Sequence, residues 1–305
     1  MSLFAKSAAA VAPPSPSPPS PSPPSPARTG CARTLSSSPS PSAGVPSSAP
    51  HPASWLVTSH VAAPSVVTVF HWKLLFGPVD ILSLMMVCLE NVLSHAHVDA
   101  FVKVLADATL FESGERTAGR AARPRKRNLQ AVSDRPEVQR ILATVRKALG
   151  RHAVFQRFAV PARLGRMLVS RFDPEMTYGS HFDDAFIDGL RTDLSFTLFL
   201  SAPESYSGGE LELQSPMGSQ ALKLPAGCAL VYPSDQLHAV RPVEDGVRLA
   251  VVGWIQSRVR SAPQRQLLFD LAQATDRVRD ADGSLDDAVT ELKRVRNNLL
   301  RLWSD

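Results

Sequence analysis

From Arg166 onward the chain becomes a cadence of short apolar or alternating runs separated by turn residues, and this limits the fold more than any other feature. Met167 to Phe172, Leu194 to Ser201, Glu210 to Gln214, Ser219 to Leu224, Ala229 to Tyr232 and Arg248 to Gln256 read as strands. Turn chemistry at Asp173-Pro174, Ser207-Gly208-Gly209, Pro216-Met217-Gly218, Pro225-Ala226-Gly227 and Glu244-Asp245-Gly246 separates them. Short, evenly spaced strands of this kind mean a β-sandwich or barrel. Gly208 and Gly209 are expected to serve a hairpin.

Two helices precede the strands. Ser94 is placed to cap one with Val98, Phe101, Val102 and Leu105 at helical spacing. Ser133 or Asp134, with Pro136 in the first turn and Gly150 past the end, brackets another whose buried side is Val138, Ile141, Leu142, Val145 and Leu149. Between them residues 114–128 are Gly-rich and basic and read as a solvated mobile loop, with a loop that approaches an acidic substrate as the alternative. After Pro263 the chain turns helical again, and the apolar positions of Leu285 to Trp303 are expected to pack on the sheet.

The first 84 residues have a different texture. Of 26 prolines, 14 lie at or before Pro52, and the Pro-Ser repeats hold too few apolar residues to repay the entropy of ordering. Translated upstream sequence ahead of a start at Met85 or Met86 is the preferred reading, beside a disordered tail or a targeting segment. The segment holds four of the 33 basic and one of the 28 acidic residues, so the remainder is nearly neutral. The overall pI near 9.4 therefore gives no reason to expect a nucleic-acid partner. Trp55 to Leu84 is interrupted by charged residues, His and Pro, leaving no uninterrupted apolar run of about 18 residues to span a bilayer, so no membrane is expected. Cys31, Cys88 and Cys228 are too scattered for a disulfide framework or a Cys-based zinc site and fit a reducing, cytoplasmic setting.

Chemistry concentrates in His181 to Trp254. In His181-Phe-Asp183 the first and third side chains of a strand point the same way, so both can meet one ion from a strand end while Phe182 faces the opposite layer. His238, after the strand Ala229 to Tyr232 and its turn, can face the same cavity across a barrel. Two imidazoles and one carboxylate suit Fe(II) and leave coordination sites for oxygen chemistry. Zinc accepts the same set. Arg248 adds a constraint, because a guanidinium opening an inward-facing strand needs an acid to meet its fork of donors. Phe196, Phe199, Tyr232 and Trp254 are candidates for a pocket wall, while His95, His97 and His152 read as structural.

These residues, together with Arg191-Thr-Asp-Leu-Ser195, Thr197-Leu-Phe-Leu-Ser201, Gly208-Gly-Glu-Leu211, Lys223-Leu-Pro-Ala-Gly227, Val231-Tyr-Pro-Ser234 and Trp254-Ile-Gln-Ser257, resemble the PKHD-type hydroxylases among the prolyl 4-hydroxylase-like Fe(II)/2-oxoglutarate dioxygenases. The resemblance covers Met85 or Met86 to the C-terminus. It implies an α+β fold with a double-stranded β-helix, or jelly roll, and makes His181, Asp183 and His238 the iron ligands and Arg248 the anchor of 2-oxoglutarate. It also implies L-ascorbate to keep the iron reduced, and hydroxylation of an unactivated C–H bond with conversion of 2-oxoglutarate and O2 to succinate and CO2. The expected organisation is a leader or mis-assigned start (1–84), a helical part (85–165), the jelly-roll core (166–260) and a C-terminal helical extension (261–305). Phe172 stands where many relatives have Tyr, and Cys228 replaces a usual acidic residue. A non-catalytic jelly-roll module that senses iron or binds a carboxylate is the alternative from another class, and a zinc or manganese hydrolase a third. Substrate is unspecified, and the C-terminal helix would also suit a homodimer.

Overall fold

The computed structural model describes residues 86–117, 123–216, 218–281 and 285–305, and the readings made for residues 1–84 lie outside the described residues. Five helices are present among them: α1 (His95–Leu105), α2 (Pro136–Arg151), α3 (Ala153–Ala159), α4 (Ala262–Ala281) and α5 (Asp286–Trp303). The early strands are β1 (Val87–Leu89), β2 (Phe111–Ser113), β3 (Lys126–Arg127), β4 (Leu129–Ala131), β5 (Pro161–Phe172) and β6 (Thr177–His181). Then come β7 (Phe186–Ile187), β8 (Leu190–Arg191), β9 (Leu194–Phe199), β10 (Tyr206–Gly208), β11 (Leu211–Ser215) and β12 (Gly218–Leu222). The last four are β13 (Ala229–Pro233), β14 (His238–Val240), β15 (Val243–Gly246) and β16 (Arg248–Ser257).

These strands form a seven-stranded sheet in the order β1-β13-β9-β16-β5-β4-β2 and a five-stranded sheet in the order β12-β11-β14-β6-β3, with two small ribbons, β10-β15 and β7-β8. Neighbours that lie far apart in sequence, and antiparallel pairing throughout, make this the double-stranded β-helix. The two sheets stack face to face: Phe199, Leu230 and Tyr232 of the larger pack on Leu211 and Leu213 of the smaller, and Phe172 packs on Val240 and Val243.

Helices cover the other face of the large sheet. Leu194, Phe196 and Leu198 of β9, Val231 of β13 and Leu249, Val251 and Ile255 of β16 share one core with Val98, Phe101 and Leu105 of α1 and Val138, Ile141, Val145 and Leu149 of α2. Covering on both faces explains why β9 is buried at every position. It also sorts the strand, with Leu194, Phe196 and Leu198 toward the helices and Ser195, Thr197 and Phe199 toward the smaller sheet. Truncating Leu198, fully buried here, to Ala costs about 2–5 kcal/mol through lost contacts and the void left behind.

Several expectations are corrected. Ser94 does cap α1, but Val102 is exposed. The N-cap of α2 is Arg135, without a side-chain cap, and Gly150 lies inside the helix, because α2 runs on to a His152 that caps α3 by accepting from the Phe155 amide. Gly208 and Gly209 turn no hairpin. Tyr206–Gly208 pairs with β15, and the chain then crosses to β11 in the five-stranded sheet. The apolar end of α5 packs on Val160, Val259 and Leu268 rather than on a sheet face, since Leu299, Leu300 and Trp303 meet α4 first. Within residues 114–128, the described part consists of short 3-10 turns at Gly114–Thr117 and Arg123–Arg125 followed by β3, and Lys126 is buried, not solvated. Cys88 and Cys228 are free. Among the described residues no helix is long and apolar enough to cross a membrane.

Candidate active site

Between the two sheets lies a cavity of about 270 Å³, and His181, Asp183, His238 and Arg248 all line it. Its first cluster is built by strand register. β14 pairs antiparallel with β6 so that His238 stands directly opposite His181, with ring centroids 4.2 Å apart. The third ligand candidate is thus on the adjacent strand of the same sheet, not across the barrel as expected. Asp183 follows the end of β6, and ligand atoms of the three residues all lie within 4.8 Å of one another. Phe182, between them, is 64% exposed and faces solvent rather than an opposite layer.

Each ligand candidate is oriented by a second contact. His181 Nδ1 donates to the Gly179 carbonyl at 2.9 Å, and His238 Nδ1 donates to the Gln236 carbonyl at 2.8 Å. Protons held on Nδ1 leave both Nε2 lone pairs free to bind a metal. Ser195 Oγ donates to Asp183 Oδ2 at 2.6 Å, so Ser234 Oγ, 2.8 Å from Ser195, must be the donor in that second contact. The Asp183 amide donates to the Ser234 carbonyl at 3.0 Å. One carboxylate oxygen is therefore fixed and the other left for a metal.

Electrostatics favour the same use. Burial, and next the charge of His238, pull the pKa of His181 down to about 4, so at neutral pH the ring is in the unprotonated form that ligates metals. The ring of Tyr178 stacks on that of His181 with centroids 3.6 Å apart, and the Tyr232 ring meets His238 edge-on at 5.2 Å. These rings restrict both imidazoles to one orientation.

Arg248 opens β16 and is 1% exposed. Its guanidinium lies 5.3 Å from the centre of the Phe172 ring and 5.5 Å from that of Phe199. Its Nε and Nη2 are buried without a hydrogen-bond partner, as is the hydroxyl of Tyr206. Burial lowers the pKa of Arg248, yet a guanidinium stays charged in proteins, so this site awaits an anion. Gly209 makes room for it: its φ is +66°, and a β-carbon there would come within 3.1 Å of Tyr206 Cε2 and 3.2 Å of Arg248 Cδ.

Of the aromatic candidates, Phe196, Tyr232 and Trp254 line the cavity, while Phe199 meets Arg248 from the core. His95 and His97 lie on α1, and His152 caps α3 while its Nε2 contacts the Glu90 carbonyl at 3.0 Å. Sequence reasoning did not place Lys126, Asn128 and Gln130 in the cavity, which they line from β3, the residue after it and β4. Their period-two alternation was the available signal, because polar residues at every second position mark a strand with one polar face. Ser195, which supports Asp183, was read only as part of a strand, and Tyr206, which adjoins Arg248, stands just before the Ser207-Gly208-Gly209 turn and was not singled out.

Residues 167–256 match the 2OG-Fe(II) oxygenase superfamily, and residues 263–305 match the PKHD-type hydroxylase C-terminal domain. A PKHD-type hydroxylase of Maricaulis maris is 44% identical over 221 residues, covering 72% of this chain and 100% of its own length. One of Parvibaculum lavamentivorans is 44% identical over 222 residues with the same coverage, and one of a Synechococcus species is 40% identical over 225 residues. With these relatives matched along their whole length and the His-Asp-His cluster in place, the chain belongs to the PKHD-type hydroxylases, 2-oxoglutarate-dependent dioxygenases of the 2OG-Fe(II) oxygenase superfamily.

Proposed function

We propose that His181, Asp183 and His238 hold Fe(II), that Arg248 seats the far carboxylate of 2-oxoglutarate, and that the enzyme hydroxylates an unactivated C–H bond. The observation that carries this reading is the pairing of an oriented His-Asp-His set with a buried guanidinium whose Nε and Nη2 have no hydrogen-bond partner, in one cavity. The donor set fits the metal, since two neutral imidazoles and a carboxylate suit Fe(II) and leave coordination sites open. Arg248 fits the co-substrate, because a carboxylate supplies what its fork of donors lacks. A zinc or manganese hydrolase gives Arg248 no role.

Bound iron, with 2-oxoglutarate and O2, supplies the oxidation, and succinate and CO2 are the co-products. The chain's own residues position the partners. Ser195 and the two backbone carbonyls fix the ligand atoms, while Phe172 and Phe199 pack around the guanidinium and exclude water from it, which strengthens its pairing with an anion. The Tyr206 hydroxyl offers a further donor near the same carboxylate. L-Ascorbate keeps the iron reduced between turnovers.

The test is succinate formation from 2-oxoglutarate by anaerobically iron-loaded protein on addition of oxygen and ascorbate, beside His181→Ala and Arg248→Ala. Succinate from the wild type and background from both variants is the expected result. No succinate together with no binding of iron or 2-oxoglutarate would overturn the assignment.

A further inference from the structure

The cavity contains a second buried cation that neither the metal nor 2-oxoglutarate uses. Lys126 of β3 lines it and is 6% exposed. Its ammonium donates to Thr117 Oγ1 at 2.9 Å and lies 5.0 Å from the centre of the Tyr178 ring. Among the described residues no carboxylate pairs with it. An ammonium has three donors, and burying its charge is costly unless an anion or further hydrogen bonds compensate.

Strand register places this cation near the reacting centre. β3 pairs with β6 so that Lys126 stands opposite Tyr178, whose ring stacks on His181. The position is also braced, since Thr117 Oγ1, which accepts from Lys126, lies 2.6 Å from Gln130 Oε1. The other cations lining the cavity are already engaged or assigned. Arg125 donates to the Ser180 carbonyl at 3.1 Å, Arg166 pairs with Asp188 at 3.3 Å, and Arg248 belongs to the opposite sheet.

Charge balance then identifies the missing partner, and this step rests on the dioxygenase reading above. A divalent iron, Asp183, the 2-oxoglutarate dianion and Arg248 cancel one another with both imidazoles neutral. Of the other charged side chains that line the cavity, Arg166 is paired with Asp188, and Arg125 and Asp184 carry opposite charges, so Lys126 is left over. We infer that Lys126 binds a carboxylate of the substrate, so the molecule hydroxylated is a small organic acid whose body lies along the apolar wall of Leu168, Val252 and Trp254. Phe182 and Leu237, exposed by 64% and 40%, extend that apolar wall to the cavity's rim. An amide-flanked residue with a neutral side chain inside a polypeptide lacks the anion this site asks for.

The experiment uses full-length protein loaded with Mn(II), which is redox-inert here, and 2-oxoglutarate. Phenylacetate, phenylpropionate and phenylbutyrate are titrated beside their primary amides. At least one acid binds about tenfold or more tightly than its own amide, the difference made by one charge-assisted hydrogen bond. Lys126→Met abolishes the preference, and Lys126→Glu turns it toward the matching phenylalkylamines. If no acid outbinds its amide, if none binds at all, or if the preference survives in Lys126→Met, the inference is overturned. The wild-type comparison decides the matter even where a variant does not fold. Wild-type protein that fails to take up Mn(II) and 2-oxoglutarate overturns the dioxygenase reading and this inference with it, whereas normal loading without an acid preference overturns this inference alone.

Discussion

Two regions of one cavity differ in how they are made. The wall that carries His181, His238 and Arg248 is set by long-range strand register, with His238 opposite His181 and Arg248 opposite Phe172. The wall that carries Lys126, Asn128 and Gln130 is laid against it by two short strands, β3 at the edge of the five-stranded sheet and β4 next to the edge of the seven-stranded one. The first region places the proposed metal ligands and the proposed anion anchor, and the second supplies the polar surface left for whatever occupies the rest of the cavity. Substitutions in the first should therefore change metal and co-substrate binding, and those in the second should change what else is bound.

The largest effect is expected for the imidazoles. His181→Ala or His238→Ala removes one of three ligands, so metal content after anaerobic loading and desalting should fall from one ion per chain to background. Retention of a full equivalent in either variant would erase the distinction between the two walls. Next is Arg248→Met, for which 2-oxoglutarate affinity should fall about a hundredfold or more, the cost of deleting one partner of a buried charge pair. The ligand-free variant should nevertheless melt no lower than wild type, because an uncompensated buried charge is replaced by an apolar group of similar length. A clear drop in Tm would show that Arg248 serves the fold rather than the ligand.

Ser195→Ala sharpens the comparison within the first wall. Releasing Asp183 Oδ2 should weaken metal affinity about tenfold to a hundredfold, as loss of an orienting contact does, while far-UV circular dichroism stays unchanged. Tyr206→Phe is the mildest. It deletes one donor beside Arg248 and should raise the Kd for 2-oxoglutarate about fivefold to tenfold, with metal affinity unaltered.

The same contrast governs what the sequence made legible. His181, Asp183, His238 and Arg248 could be chosen from the His-x-Asp spacing, a second His after a strand and turn, an Arg opening a strand, and the resemblance these share with a known family, and the structure brings all four to one cavity. Their relative placement was less legible. Spacing puts His238 after a strand and a turn, but only the pairing of β14 with β6 makes it a neighbour of His181. Lys126 was misread because its neighbours Arg123, Arg125 and Arg127 give the segment the look of a solvated basic loop. Within the two residues of β3 no period shows, and only the alternation of Lys126 with Asn128 and Gln130 on into β4 could have marked which member of the run is turned inward. Gly150 misled for a related reason: a glycine near a helix end signals a stop, yet α2 continues to Arg151 and its end is set by the junction with α3.

The central claim is that the metal cluster and Arg248 act together on one ligand, and anaerobic calorimetric titration of 2-oxoglutarate tests it most directly. The account predicts one molecule bound per chain in the presence of Fe(II), much weaker binding without metal or in His181→Ala, and about a hundredfold loss in Arg248→Met. Equal affinity with and without metal, or in wild type and Arg248→Met, would contradict it.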